Sequence, residues 1–167
     1  TPVIFAAGVI SNGNIHSRLE ISPDGQEMFW NTVDMKTFST QILSVKNVSG
    51  KWSAPQPPPF AKDGNTQAAM FSPDGRWIAY SSNESGRYEV FVRPFPGPGG
   101  KWLISTAGGD HPTWSRARHE LLYRTLDNRI MVAAYAAKAD AFLPDKPRRW
   151  SDRQLGNLAD PASGNYD

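Results

Sequence analysis

The chain has 167 residues, 39% hydrophobic and 11% aromatic, which is ordinary for a folded domain with a sizeable core and excludes a chain disordered throughout. Its 18 basic and 16 acidic residues leave a net charge of +2, with no basic cluster denser than Lys146 to Arg153, so no nucleic-acid partner is read from it. The absence of cysteine removes disulfides, thiol nucleophiles and cysteine zinc sites; the longest apolar run, Ile130 to Ala137, is far short of the roughly 20 residues that cross a bilayer as a helix, so no membrane span is encoded.

The 14 Gly and 14 Pro are spread along the chain as punctuation between short elements, which points to an all-β protein. At the start, Thr1 follows no Met or charged leader, so any signal peptide or anchor is expected to have been removed or to lie outside this sequence. Segment 1–12 reads, through Pro2 to Ala6, as the outer strand of a preceding unit. Segment 13–60 is the first complete unit, with ISPDGQEMFWNT from Ile21, TQILSV from Thr40 and then Lys51-Trp52. Segment 61–107 repeats it as FSPDGRWIAYSS from Phe71, YEVFV from Tyr88 and Lys101-Trp102. Segment 108–152 repeats it again as WSRARHELLYRT from Trp114, RIMVAAY from Arg129 and Arg149-Trp150. Segment 153–167 is expected to be a linker and, at Ser163 to Asp167, the start of a following unit.

In the middle unit, Arg76 to Ser82 and Tyr88 to Val92 are rich in aromatic and apolar residues and flank the polar cluster Asn83 to Gly86, a hairpin signature. One hairpin is marginal in water, so it needs neighbours. Four strands are expected here: Gln67 to Phe71, Arg76 to Ser82, Tyr88 to Phe95 and Lys101 to Thr106. The repeated phrase recurs after 50 and then 43 residues, in the range of about 40 to 50 typical of four-stranded propeller blades. No window holds a sustained helical period; Met131 to Ala141 is the most alanine-rich.

The SPDG phrase has a mechanical role between the first two strands of a unit. Proline presets φ, aspartate bonds nearby backbone N–H groups and glycine takes the positive φ that closes the turn. Asp24, Gly25, Asp74 and Gly75 are therefore turn formers, not catalytic groups. The third copy, Ser115-Arg116-Ala117-Arg118, puts Arg where Gly should be, and a differently shaped turn is expected there.

SPDG with IAYSS, then GRYEVFVRPFPG and GGKW, and the degenerate WSRARHELLYR resemble the repeats of TolB-type β-propellers. YEVFVRPFPGPGGKW is most similar to the extracytoplasmic propellers that follow the kinase domain in bacterial eukaryotic-like serine/threonine kinases. The resemblance implies a bacterial source and a periplasmic or extracytoplasmic location. It covers nearly the whole chain, yet TolB-type rings close with about six blades, so three units read as an arc whose partners include the remaining blades of the same protein. Such repeats serve very different functions.

Several strings invite chemistry without completing it. His119-Glu120-Leu121-Leu122-Tyr123 begins like H-E-x-x-H, but Tyr123 stands at the second ligand position. No G-x-S-x-G occurs, only His16, His111 and His119 could serve as a base, and Gly99-Gly100-Lys101 lacks the spacing of a phosphate loop. No catalytic residue, metal or cofactor is assigned. Proline runs Pro55 to Pro59 and Pro94 to Pro98 sit beside strands, where Pro ends pairing. Asn47-Val48-Ser49 and Asn83-Glu84-Ser85 match glycosylation acceptors, which carry no meaning in a bacterial protein.

The expected function is a non-catalytic binding or sensing module for a protein or small ligand; the alternative is the substrate-gating propeller of a prolyl-oligopeptidase-type serine peptidase. In a propeller the first strands line the central channel. Aligning the units on Ile21, Phe71 and Trp114 places Ser17 with Gln67 and Asp110, and Arg18 with Ala68 and His111. Arg18, Gln67, Asp110 and His111 form the candidate ligand site.

Overall fold

A computed structural model describes residues 15–62, 64–138 and 141–155. The outer segments read as Pro2 to Ala6 and Ser163 to Asp167 lie outside these residues. Thirteen strands are seen among the described residues: β1 His16–Ile21, β2 Glu27–Asp34, β3 Ser39–Val48, β4 Lys51–Trp52, β5 Thr66–Phe71, β6 Trp77–Ser82, β7 Glu89–Pro94, β8 Trp102–Leu103, β9 Asp110–Trp114, β10 Glu120–Arg124, β11 Arg129–Lys138, β12 Ala141–Pro144 and β13 Arg148–Gln154. They form three antiparallel sheets, ordered β1-β2-β3-β4, β5-β6-β7-β8 and β12-β11-β10-β9, with β13 also paired to β11. One short 3₁₀ turn, Pro59–Ala61, follows the first proline run. The alanine-rich window is strand from Met131 to Lys138, because β11 pairs along its whole length with β10, β12 or β13.

The inner strands and their hairpin partners fall where the repeat puts them; the outer strands differ. The expected strand Lys101 to Thr106 is reduced to Trp102–Leu103, since Ile104 and Ser105 turn their backbone and side chain into β7 instead of extending a ladder: Ile104 N–H donates to Val90 O and Ser105 Oγ accepts from Val90 N–H. In the third blade two short strands share the outer edge of β11, with β12 on its C-terminal part and β13 on its N-terminal part. The β13 strand runs two residues beyond the boundary at 152.

The sheets pack face to face in sequence order. Phe29 and Ile42 of the first unit meet Ala61, Ala69, Phe71, Ile78, Tyr80 and Phe91 of the second. The other face of the second blade, with Trp77, Ala79, Val90, Val92 and Ile104, meets Trp114, Leu121, Tyr123, Ala133 and Phe142 of the third. Alternation along β6 thus assigns Ile78 and Tyr80 to one interface and Trp77 and Ala79 to the other. Burying such side chains contributes roughly 1.5–3 kcal/mol each. Polar ties accompany the packing: Ala68 N–H donates to Asn31 Oδ1 at 3.1 Å, Ile42 N–H to Thr66 Oγ1 at 3.1 Å, and Trp114 Nε1–H to Met70 O at 3.0 Å.

The first two SPDG turns are built alike. Asp24 Oδ1 accepts the Ser22 hydroxyl at 2.5 Å and Gln26 N–H at 3.0 Å; Asp74 Oδ1 accepts the Ser72 hydroxyl at 2.6 Å and Arg76 N–H at 3.2 Å. Gly25 and Gly75 have φ of 68° and 69°. The third turn is different in shape: Arg118 stays out of the left-handed region, and its N–H donates to Ser115 Oγ at 3.2 Å where Gly25 and Gly75 donate to a serine carbonyl.

Candidate functional site

Each inner strand carries the same β-bulge. Pairing runs from Ser17↔Asn31 to Glu20↔Phe29, from Gln67↔Ser81 to Met70↔Ala79, and from Asp110↔Arg124 to Thr113↔Leu122, so two residues face one in every blade. The first of the two is Arg18, Ala68 or His111, with φ of 53°, 57° and 50°, a left-handed conformation rare for residues with a side chain. The residue opposite is a buried aromatic: Trp30, Tyr80 or Tyr123. The bulge re-aims the side chains of the aligned positions at the end of the strand.

Arg18 reaches across the arc. Its Nη2 donates to Pro112 O on β9 at 2.8 Å and lies 3.4 Å from the Met70 sulfur on β5, so one side chain touches all three inner strands. Burial pulls its pKa below the ordinary value, opposed by the nearby Glu20 carboxylate. Asp110 takes a two-pronged bond from Arg124, with Nε to Oδ1 at 2.8 Å and Nη2 to Oδ2 at 2.7 Å, and His111 Nδ1 is 3.1 Å from Oδ1. Burial pushes the Asp110 carboxyl up, but the hydrogen bonds and charges of His111 and Arg124 overcome it and hold the group at about 2. Asp110 in turn raises the Arg124 pKa, mainly through that hydrogen bond. Gln67 occupies the equivalent register place on β5, half-buried, and makes no side-chain hydrogen bond among the described residues.

The structure therefore joins Arg18 to the third inner strand and Asp110 to His111, while Arg18 and Asp110 are both engaged in ties that hold blades and strands. The exposed His111 and the half-buried Gln67 retain polar atoms for a ligand. Beside His111 a cavity of about 440 Å³ is lined by Thr113, Leu122, Arg124, Ile130 and Trp150, and Trp150 is 61% exposed. Arg124 escaped the sequence reading, although it stands in the aligned place of Asn31 and Ser81 and so faces the carboxylate of Asp110. The loop that delivers these residues is pinned by the buried Glu89, which accepts Arg87 Nε–H at 2.6 Å, Gly108 N–H at 3.1 Å and the Ser105 hydroxyl.

The other strings have structural places. His119 lies in the third turn and Tyr123 is buried on β10; among the described residues no group of three or more His, Asp or Glu could hold a metal. Pro59, Pro94, Pro96 and Pro98 line a cavity of about 540 Å³ with Phe60 and Phe95 between the first two blades. No helix among the described residues is long and apolar enough to cross a membrane.

No protein-family model and no curated protein sequence matches the chain. Among solved structures, it is similar to a putative TolB from Agrobacterium tumefaciens, at 19% identity and a TM-score of 0.52, over 82% of this chain and 51% of that one. It is also similar to TolB from Acinetobacter baumannii, at 16% identity and a TM-score of 0.50, over 77% of this chain and 32% of that one. The chain thus spans about half or less of the length of these neighbours. At such identities the likeness concerns the fold: an all-β, TolB-like propeller architecture.

Proposed function

We propose that the chain is a non-catalytic β-propeller module that binds a protein or small-molecule ligand at the end of its inner strands, as a sensing part of a longer extracytoplasmic bacterial protein. The observation that carries this reading is the repeated bulge. Three strands from three blades spend an unfavourable backbone conformation at one aligned place, and strain of about 1–3 kcal/mol held at a site is the usual companion of a binding function. His111 and Gln67 are the side chains there with polar capacity left, and Trp150 offers an aromatic surface next to His111.

The partners of the end blades are further blades. Leu19 and Ile21 on β1 are 45% and 52% exposed, whereas the aligned Ala69 and Phe71, and Pro112 and Trp114, are buried against the preceding blade. A β1 face of that composition is complementary to another four-stranded blade.

In the complete protein, Gln67→Ala should weaken ligand affinity about tenfold with the melting midpoint unchanged, and His111→Ala should weaken it as much with a modest fall in the melting midpoint from the lost Asp110 contact. Short acidic, basic and neutral peptides are the first probes, read by calorimetry. Unchanged affinity in both variants would move the site to the outer loops.

A further inference from the structure

The third inter-strand turn differs from the other two by more than its shape: it has lost the carboxylate that the others are built around. In the first two turns an aspartate oxygen gathers a serine hydroxyl and the N–H two residues beyond the aspartate. The third turn keeps the serine, as Ser115, but Ala117 stands in the place of Asp24 and Asp74. Ser115 Oγ accepts the Arg118 N–H, yet its own hydroxyl hydrogen and the His119 N–H, the counterparts of the two aspartate-bound donors, have no acceptor among the described residues. Arg116 and Arg118 replace the proline and glycine of the phrase. All of these residues line one cavity of about 270 Å³, closed on the other side by Pro73, Asp74 and Tyr135.

Of the charged groups around it, Asp74 has its Oδ1 taken up by Ser72 and the Arg76 N–H, and Glu20 lies within electrostatic reach of Arg116. The His119 ring packs on Tyr135 with centroids 5.3 Å apart, and Tyr135 N–H donates to His119 O at 3.0 Å, which fixes the backbone of the turn against β11. We propose that this cavity binds a carboxylate group from outside the turn, its oxygens taking the donors that Asp24 and Asp74 satisfy in the other blades and its charge meeting Arg116 and Arg118. Carboxylate bonds to guanidinium and backbone N–H are among the stronger hydrogen bonds of proteins. The cavity has room for a small acid or for an aspartate side chain of a peptide. It is formed by the turns between first and second strands, at the opposite ends of those strands from the Arg18, Gln67, Asp110 and His111 set. It is therefore independent of the ligand site proposed above.

Amide NMR of the isotope-labelled chain, titrated with acetate, with acetyl-Gly-Asp-Gly-amide and with chloride at matched ionic strength, tests it. Acetate should shift the Ser115 to His119 amides saturably and chloride should not; tighter binding of the peptide than of acetate would assign the carboxylate to a protein side chain, and weaker binding to a free small acid. Ala117→Asp, which restores the residue of the other two turns, should abolish the acetate response, and Arg116→Gln with Arg118→Gln should weaken it at least fivefold without moving the amides of β5 to β7. Equal shifts with chloride, shifts that do not saturate, or an acetate response kept in both variants would overturn the proposal.

Discussion

Gly75 and Arg118 occupy the same place in their turns and meet different demands there. Gly75 has φ of 69°, and a Cβ on it would come within 2.7 Å of Pro23 Cγ in the neighbouring turn, whereas Arg118 has left the left-handed region altogether. Gly75→Val should therefore lower stability by about 2–3 kcal/mol, of which about 1–2 is backbone strain, and Arg118→Val by well under 1. For a chain of this size the first change would lower the melting midpoint by roughly 4–12 °C in a calorimetric scan, and equal shifts for the two variants would refute the assignment. Asp110 carries the clearest pH signature. Its carboxyl is held at about 2 against an ordinary 3.8, so its ionised form stabilises the fold by roughly 2 kcal/mol at neutral pH. That contribution is present above about pH 4 and is lost as the pH falls towards 2, because the unfolded chain takes up the proton first. Urea unfolding should show Asp110→Asn less stable by about 2 kcal/mol at pH 7 and the gap closing between pH 4 and 2. A gap independent of pH would mean that the Arg124 and His111 contacts do not act through charge. At this scale the sequence revealed the turn residues, since Pro, Asp and Gly have local reasons for their positions. It hid the bulges, because Arg18, Ala68 and His111 share a conformation and no chemistry; only their common place in the alignment connects them.

At the level of strands and sheets, the aligned positions Ile21, Phe71 and Trp114 end the three inner strands, and their burial records which side of each blade is covered. Phe71 is 7% exposed and packs edge-on against Phe29 and Phe95 at 5.3 and 4.7 Å between ring centroids, while Ile21 is 52% exposed. Phe71→Ala should cost about 3–5 kcal/mol and Ile21→Ala below about 1 kcal/mol, measured by chemical denaturation of each variant. Similar costs would show that the β1 face is covered as the β5 face is. Hairpins such as β6 with β7 were legible because a polar, glycine-ended cluster separates two apolar runs. The outer strands were not, because Lys101-Trp102 and Arg149-Trp150 read alike yet end differently: Ser105 is drawn inward by Val90 N–H and Glu89 in the second blade, while β12 and β13 divide the edge of β11 in the third. The partners of Ser105 lie 15 and 16 residues away in sequence, beyond any local pattern.

Across the whole molecule, three copies of one phrase have become three sheets stacked in sequence order, with the middle one packed on both faces and Leu19 and Ile21 of the first exposed on β1. The spacing of the repeat was enough to reach that architecture, whereas the candidate site depended on contacts between blades, above all the reach of Arg18 to Pro112, that no single repeat contains. Native-state hydrogen exchange, followed amide by amide, tests the stacked-arc account most directly, since local opening is resisted where a sheet is packed on both sides. Protection should be greatest in β6 and β7, with their apolar faces buried in both interfaces, and distinctly less in β1 and β13. Protection that is uniform across the three sheets, or greatest in β1, would contradict it.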